Sequence, residues 1–247
     1  MLTNVQPHIR CSNKDAAAYA IMPGDPERVD RVKSFLENSV DIAFNREFKS
    51  CTGFYKGVKV MVISTGIGGA STGIAVEELK NIGVHTLIRI GSCGALQPSI
   101  KLGDLIIANG AVRDEGTSKA YVAESYPAVP DTGVLISLIE SAKELDFNYY
   151  CGKIRSHDSF YTDKEQETDE YWSGKGILGS DMESAALFVI GGLRNLKTAS
   201  VLNVVVESNG NLASINSYVD GESLTALGEK KEILTVLEAI VKLEKNK

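Results

Sequence analysis

The stretch TLIRIGSCGALQ, residues 86–97, combines an apolar strand, a cation and a glycine-rich break. Its first three residues are typical of the end of a buried strand, and the glycines after Arg89 predict a turn. A guanidinium at the lip of a buried strand is costly unless an anion or a carboxylate meets it. Because ligands of open α/β sheets bind at the carboxyl ends of strands, Arg89, the turn amides and the Ser92 hydroxyl indicate an oxyanion or phosphate site. The alternative is an arginine that pairs with a structural aspartate across a tight turn.

Strand and helix patterns alternate on both sides of this stretch. Buried strands are predicted over residues 18–22, 60–64, 104–112, 177–182 and 198–206, and helices over residues 27–36, 71–81, 132–145, 185–196 and 229–244. We further expect hairpin segments at 42–48 and 53–60 with a turn at Lys56-Gly57, irregular segments at 113–131 and 162–170, and a flap at 208–222. The order predicts an α/β fold: a single domain over residues 1–247 with a central mixed, largely parallel sheet flanked by helices.

Composition and charge restrict the function classes. Of the 247 residues 43% are hydrophobic, and the net charge of −6 argues against a nucleic-acid-binding or membrane-surface protein. No apolar run is long enough for a transmembrane helix, and the N-terminus lacks the apolar centre of a signal peptide. The cysteines at 11, 51, 93 and 151 form no C-x-x-C pair, which favours free thiols in a reducing cytosol. We therefore expect a soluble, cytoplasmic protein.

Two early segments carry charged residues. In PGDPER, residues 23–28, Asp25 can cap the next helix, and Arg28 lies near a helix N-terminus that attracts anions. An ordinary capped turn is the alternative interpretation. Arg46 and Glu47 interrupt an apolar strand. An ion pair within the chain or across an interface explains this pattern as well as a functional role does.

Aromatic and acidic residues follow two later strands. Phe160 and Tyr161 border a polar loop, a position from which aromatic rings can stack on a planar ligand. His157 beside Asp158 invites a catalytic interpretation, but adjacent residues of a strand point to opposite faces, so a structural role is favoured. The segment DMES, residues 181–184, suits hydrogen bonds to sugar hydroxyls and equally suits helix capping.

Six motifs, taken in order, resemble a known family. They are IMPGDPER (21–28), NREF (45–48), STGIGGAS (64–71), RIGSCG (89–94), DSFY (158–161) and DMESAALF (181–188). The set is similar to the nucleoside phosphorylase family of uridine phosphorylases and hexameric purine nucleoside phosphorylases. GAVRDEGTSK (110–119) and YPAVPD (126–131) bring the resemblance closest to the uridine phosphorylase branch. Each motif alone is weak, whereas the ordered set covers nearly the whole chain.

The resemblance implies a reaction and the residues that support it. Phosphate would attack the anomeric carbon of a ribose and give a free base and ribose 1-phosphate, with phosphate as co-substrate and no other cofactor. The implied phosphate contacts are Gly24, Arg28, Arg89, Ser92 and, from a neighbouring subunit, Arg46. The implied ribose contacts are Met182, Glu183 and, from a neighbouring subunit, His8, while Phe160 would flank the base. The residues that match a monovalent-cation site (K⁺ or Na⁺) between subunits in some members are Glu47, Ile67 and Ser71.

The implied roles agree with electrostatics. Departure of the base leaves an oxocarbenium-like sugar, which phosphate on one face and a carboxylate near the hydroxyls can stabilise, so Arg89 and Glu183 are expected to be catalytic. Three arginines would hold phosphate in line with the bond that breaks. The borrowed residues would make a dimer the smallest active unit, and the family usually forms a hexamer, a trimer of such dimers.

The base-reading residues depart from the pyrimidine branch. That branch reads uracil with a glutamine and an arginine just after the F-Y pair, whereas this chain has Lys164 and Gln166 at those places. If Gln166 takes the glutamine role, Thr168 stands where the arginine should be. Glu207 ends a strand where purine-cleaving relatives have an aspartate that helps to protonate the base, which makes Glu207 a third catalytic candidate.

Base identity therefore stays open. Overall likeness favours uridine, with deoxyuridine or thymidine as further substrates, and the alternative is a purine nucleoside such as inosine, guanosine or adenosine. A nucleosidase that uses water would not need Arg28, Arg46 and Arg89 together. A non-catalytic nucleoside-binding protein would not need Arg89, Glu183 and His8.

Overall fold

A computed structural model of the chain describes residues 5–208, 210 and 223–247, so the predicted flap at 208–222 falls almost entirely outside the described residues. The described strands are β1 (Tyr19–Pro23), β2 (Glu37–Asn45), β3 (Phe48–Tyr55), β4 (Val58–Ile63), β5 (Thr86–Ala95), β6 (Leu105–Asp114), β7 (Tyr149–His157), β8 (Gly179–Asp181) and β9 (Lys197–Val206). The described helices are α1 (Pro26–Lys33), α2 (Gly69–Asn81), α3 (Gly116–Tyr121), α4 (Thr132–Glu144), α5 (Glu165–Ser173), α6 (Ser184–Leu193) and α7 (Leu224–Lys245).

The strands form one mixed sheet in the order β2-β3-β4-β1-β5-β8-β7-β6-β9. Strand β1 runs parallel to β4 and β5, and β7 runs parallel to β6 and β8. Strand β9 turns back to pair in parallel with β5, so that β5, β8, β7, β6 and β9 close into a ring. The predicted α/β fold with a central mixed sheet is confirmed.

Two hydrophobic cores cover the two faces of the sheet. Helices α1, α4 and α7 bury one apolar stripe each against one face, through residues such as Val29, Leu138 and Val236. Helices α2 and α6 cover the other face, where α6 is buried from Ser184 to Gly191. This three-layer packing leaves the carboxyl ends of β1 and β8 on either side of the middle of β5, because Pro23 pairs with Ile90 and the antiparallel β8 pairs Ser180 with Gly94.

The predicted break after Arg89 is wrong, because β5 continues through Gly91 and Gly94 to Ala95. Strand β9 pairs with β5 along this length, which keeps the backbone extended, and only a register shift marks the position between Cys93 and Gly94. The glycine at 91 serves packing instead of a turn, since a Cβ there would lie 2.5 Å from Nη2 of Arg89.

Three further boundaries differ from the sequence predictions. The segment 42–48 is not one strand, because Arg46 adopts a φ of 57° and a two-residue turn separates β2 from β3. The segments 113–131 and 162–170 are not wholly irregular, since they contain α3 and most of α5. Both helices are short and bury few residues, so apolar periodicity gives no signal for them.

Candidate active site

Arg28 and Ser92 meet at the carboxyl edge of the sheet. Asp25 caps α1 by accepting the N–H of Glu27 at 2.8 Å, which fixes Arg28 in the first turn of the helix. Strand β1 pairs with β5 up to Pro23, so this turn lies beside the second half of β5. Arg28 is buried, and its Nη2 donates to the hydroxyl of Ser92 at 3.0 Å. Two residues implied to bind phosphate are therefore in contact.

Arg89 lies beside them and joins two carboxylates. Its Nε donates to Asp181 at 3.0 Å, and its Nη2 lies 2.5 Å from Oε2 of Glu183. The side chain is only 5% exposed. Burial works to lower the pKa of Arg89, but the carboxylates of Glu183 and Asp181 outweigh it and raise the pKa, so the guanidinium stays charged.

The third nitrogen of this guanidinium is not satisfied. Within the described part of the chain, Nη1 of Arg89 is buried and has no hydrogen-bond partner. It faces Gly24, where a Cβ would lie 4.0 Å from it. A buried charged donor without an acceptor is destabilising, and an anion placed between Gly24 and Arg89 would satisfy it. Arg89 therefore pairs with Asp181 and still has one nitrogen available for an anion.

Glu183 lies between β8 and α6, immediately before the helix, and connects Arg89 to the glycine-rich turn before α2. Its Oε1 accepts the N–H of Gly68 at 2.6 Å. Burial raises the pKa of Glu183, whereas Arg89 and the N–H groups of Gly68 and Met182 act in the opposite direction. Met182, the other implied ribose residue of this segment, precedes it and is half-buried. A carboxylate at this position can accept hydrogen bonds from sugar hydroxyls on the side away from Arg89.

Asp181 is held more tightly than Glu183. Its Oδ1 accepts from the hydroxyl of Ser156 at 2.5 Å, and its Oδ2 accepts from the N–H and the hydroxyl of Ser184. Its position therefore fixes the direction of Arg89. Asp181 thus belongs to the scaffold of the site.

The three residues implied to hold a monovalent cation lie together. Glu47 and Ser71 both lie next to Gly66, since a Cβ atom added to Gly66 would lie 2.8 Å from Cβ of Glu47 and 3.7 Å from the hydroxyl of Ser71. The hydroxyl of Ser71 also lies 3.4 Å from the carbonyl oxygen of Ile67, whose side chain is 79% exposed. The oxygen-only set, with one carboxylate, fits K⁺ or Na⁺ in kind.

The two residues implied to serve a neighbouring subunit lie toward the surface. Arg46 is exposed on the β2–β3 turn. His8 is held by Glu78, which accepts from the backbone N–H at 3.0 Å and lies 2.6 Å from Nδ1. Because a carboxylate only accepts, Nδ1 carries the hydrogen and Nε2 is left for another partner. With a side chain that is 40% exposed, His8 can reach beyond its own chain.

The candidate base-binding residues lie on the β7–α5 connection and on α5 itself. Phe160 is 39% exposed and packs edge-to-face on Tyr161, with ring centroids 5.0 Å apart. Lys164 is exposed where α5 begins. Gln166 is also exposed, and its amide donates to Glu170 at 3.0 Å. None of these side chains contacts Arg28, Arg89 or Glu183 in the described structure, so their roles in base binding stay predictions.

Glu207 lies apart from the Arg89–Glu183 pair. Its carboxylate accepts the N–H of Leu102 at 3.2 Å and lies 3.2 Å from Nζ of Lys101. These two contacts lower the pKa of Glu207, which favours the ionised form. A role as a proton donor would require Glu207 to leave both partners, and it stays a prediction.

Two carboxylates of the site were not found from the sequence. Glu229 of α7 accepts from Nε of Arg28 at 2.7 Å, and Oε1 of Glu232 lies 3.3 Å from Nη1 of the same arginine. Glu232 also accepts the N–H of Gly91 at 3.1 Å. Both lie on the buried face of α7, one turn apart. Acidic residues on an otherwise apolar helix face were therefore the sequence signal that could have revealed them.

Metal-binding clusters and membrane-spanning helices are absent from the described residues. Among the described residues no group of three or more histidine, cysteine, aspartate or glutamate side chains is arranged to hold a metal ion. No helix in the same part of the chain is long and apolar enough to cross a membrane.

Comparisons with known proteins show which proteins the chain resembles. A uridine phosphorylase from Thermococcus kodakarensis is 44% identical over 213 residues, which cover 81% of this chain and 76% of the relative. A guanosine phosphorylase from Halorubrum lacusprofundi is 40% identical over 211 residues, which cover 85% of this chain and 86% of the relative. The crystal structure of a uridine phosphorylase from Vibrio fischeri superposes with a TM-score of 0.89 at 46% identity, over 96% of this chain and 97% of that one.

A family profile also matches most of the chain. The profile of the phosphorylase superfamily matches residues 18–229, a range that contains Arg28, Arg89 and Glu183. The profile match covers most of the chain, and the superposition on the Vibrio fischeri enzyme covers 96% of it. On sequence and on fold, the chain belongs to the phosphorylase superfamily.

Proposed function

We propose that this protein is a nucleoside phosphorylase that cleaves uridine with phosphate, giving uracil and ribose 1-phosphate. The observation that carries the proposal is Nη1 of Arg89, a buried donor without a hydrogen-bond partner among the described residues. It lies beside Gly24 and on the same edge of the sheet as Arg28 and Ser92. A phosphate there would satisfy Arg89 on one side while Glu183 holds it on the other.

The reaction follows from this arrangement. A phosphate oxygen forms a bond to C1′ of the ribose as the bond from C1′ to the base nitrogen breaks, and the electron pair goes to the base. The positive charge on the sugar is flanked by phosphate and by Glu183, both of which attract it more strongly as it develops. The base takes up a proton on leaving or afterwards. No side-chain nucleophile is needed, because phosphate is the nucleophile.

Purine nucleosides are the second candidate class. The chain is 40% identical to a guanosine phosphorylase and 44% identical to a uridine phosphorylase. Because these identities are close, overall sequence likeness does not decide between a purine and a pyrimidine base. The arginine expected to read uracil is absent, and the amide of Gln166 is engaged by Glu170. Uridine remains the first choice because the motifs at 110–119 and 126–131 favour that branch.

We infer that the complete site is shared between subunits of a hexamer built as a trimer of dimers. Arg46 is exposed and the side chain of His8 is partly exposed. This supports a contact from Arg46 to a neighbour's phosphate and one from His8 to a neighbour's ribose 5′-hydroxyl. Glu47, Ile67 and Ser71 are close enough together to hold K⁺ or Na⁺ at the same interface. Four free cysteines, with Cys151 exposed, favour a reducing compartment such as the cytoplasm.

The test is base release from uridine, thymidine, inosine and adenosine, each with and without phosphate. We expect uracil release that requires phosphate, with weaker release of thymine. Phosphate-dependent release of hypoxanthine or adenine in preference to uracil would move the protein to the purine class. Base release that does not depend on phosphate would contradict phosphorolysis.

A further inference from the structure

Glu232 is a buried carboxyl group directly behind the proposed phosphate residues. Its side chain is 0% exposed, and its Oε2 accepts the N–H of Gly91, the residue before Ser92, at 3.1 Å. Its Oε1 lies 3.3 Å from Nη1 of Arg28 but has no hydrogen-bond partner in the described part of the chain. The carboxyl group of Glu232 therefore contacts Arg28 and β5 at the same time.

The surrounding charges are unbalanced. Within the described structure, three guanidinium groups face four buried carboxyl groups, which are Arg28, Arg31 and Arg89 against Asp181, Glu183, Glu229 and Glu232. Three of the carboxyls have at least two partners each: Asp181 has Arg89, Ser156 and Ser184, Glu183 has Arg89 and Gly68, and Glu229 has Arg28 and Arg31. Glu232 contacts Arg28 and the N–H of Gly91, but it shares Arg28 with Glu229, and its Oε1 accepts no hydrogen bond in the described structure, so it is the least compensated of the four.

We propose that Glu232 is a positioning residue of the phosphate site that is held in its protonated form while a dianion is bound to Arg28 and Ser92. The inference rests on the proposed function for the location of phosphate. Phosphate adds two negative charges next to Arg28, whose attraction then no longer offsets the charge on Glu232. A protonated Glu232 avoids the repulsion, and its Oε2 still accepts the N–H of Gly91.

The ionisation state of the unliganded protein is consistent with this coupling. Burial raises the pKa of Glu232 to about 8, with Glu229 adding to the effect and Arg28, Gly91 and Arg89 opposing it. The thiol of Cys93 on β5 is also close, and burial raises its pKa well above the usual value, so it stays neutral. Below pH 8 Glu232 already carries its proton, and above pH 8 binding must supply one. Dianion affinity should therefore fall by up to about tenfold per pH unit above pH 8.

Sulfate is the probe that isolates this proton, because sulfate does not titrate near neutral pH whereas phosphate does. We would measure sulfate binding to the wild-type protein by calorimetry near pH 8.5, in two buffers of different ionisation enthalpy. The difference in heat gives the number of protons taken up. We expect more than half a proton per sulfate in the wild type and none in Glu232→Gln, which keeps the size and the acceptor for Gly91.

A matched control is Glu238→Gln, which lies on the same helix but contacts Tyr55 and Lys56 instead of the site. This variant should take up protons as the wild type does. Absence of proton uptake in the wild type, or equal uptake in Glu232→Gln, would overturn the role of Glu232. If neither sulfate nor phosphate binds at all, the proposed function fails instead, so the two failures are distinguishable.

Discussion

Arg89 connects the phosphate side of the site to the ribose side. Its Nη2 contacts Glu183, its Nε contacts Asp181, and its Nη1 is left for the anion. Lysine could not make these three contacts, because an ammonium lacks the planar fork of the guanidinium. The position therefore requires arginine for geometric reasons as well as for charge.

Removing this guanidinium should abolish most of the activity. We expect Arg89→Ala to lower kcat/KM for phosphorolysis about a thousandfold, the loss typical of a preorganised donor at a developing charge. Circular dichroism should show an intact fold. Arg194→Ala, which removes a half-exposed ion pair with Glu77, is the control and should keep full activity. Turnover of Arg89→Ala within a few-fold of the wild type would contradict the assignment.

Glu183 should act mainly in the transition state. The substitution Glu183→Gln keeps an acceptor for the N–H of Gly68 but removes the negative charge near the sugar. We expect kcat to fall on the order of a hundredfold with a much smaller change in the KM of the nucleoside. Steady-state kinetics with saturating phosphate would measure both. A change confined to KM would mean that Glu183 only binds the ribose.

At the scale of elements, Arg113 organises the segment between β6 and α4. It is 8% exposed and makes six hydrogen bonds to the hydroxyl of Ser118 and to carbonyl groups from Ser118 to Tyr126. These bonds hold α3 and the loop after it, which otherwise bury little apolar surface. In this segment, hydrogen bonds from one buried arginine thus supply the stability that apolar packing supplies elsewhere in the fold.

The substitution Arg113→Met tests this role. It keeps much of the side-chain volume but removes the guanidinium donor of five carbonyl groups, of which only those of Ser118 and Ala123 also accept a backbone N–H in the described structure, so we expect a loss of about 3 kcal/mol of unfolding free energy. Hydrogen exchange should accelerate first in residues 116–126. Arg194→Met, which removes a partly exposed arginine, is the matched control and should change stability by less than about 1 kcal/mol. Equal exchange in Arg113→Met and the wild type would show that the segment is held by other contacts.

The elements were predictable where the signal is local. Strands β1, β4, β6 and β9 and helices α1, α2, α4 and α6 have apolar patterns, and their positions were predicted within a few residues, whereas β7 was not predicted and α7 begins at Leu224 instead of residue 229. The extent of β5 was not predicted, because glycines usually mark turns and its continuity depends on β9, more than 100 residues later. Nor could the placement of Glu232 beside Gly91 be predicted, since it depends on how α7 packs.

At the scale of the molecule, closure of the sheet assembles the site. The return of β9 to β5 forms the ring of five strands and places α7 behind Arg28. Residues from α1, β5, β8 and α7 meet only because of this topology, which no single stretch of sequence encodes. Family resemblance indicated Arg28, Arg89, Ser92 and Glu183, whereas the supporting carboxylates required the structure.

Sharing of the site between subunits can be tested by complementation. Arg46→Ala and Arg89→Ala should each be inactive alone, but a mixed dimer would contain one site with both arginines intact. Since half of randomly assembled dimers are mixed, co-expression should restore about a quarter of the wild-type activity. Tagged purification of the mixed species gives the measured fraction. No recovery in verified mixed dimers would mean that Arg46 does not serve its neighbour.

The central claim is that phosphate, not water, cleaves the nucleoside. Phosphorus NMR of the protein with uridine and phosphate would test it most directly, with uracil followed by absorbance in the same sample. We predict a new sugar phosphate signal that grows in a one-to-one ratio with uracil, and no uracil when phosphate is left out. Uracil formation without consumption of phosphate, or no cleavage of uridine at all, would contradict it.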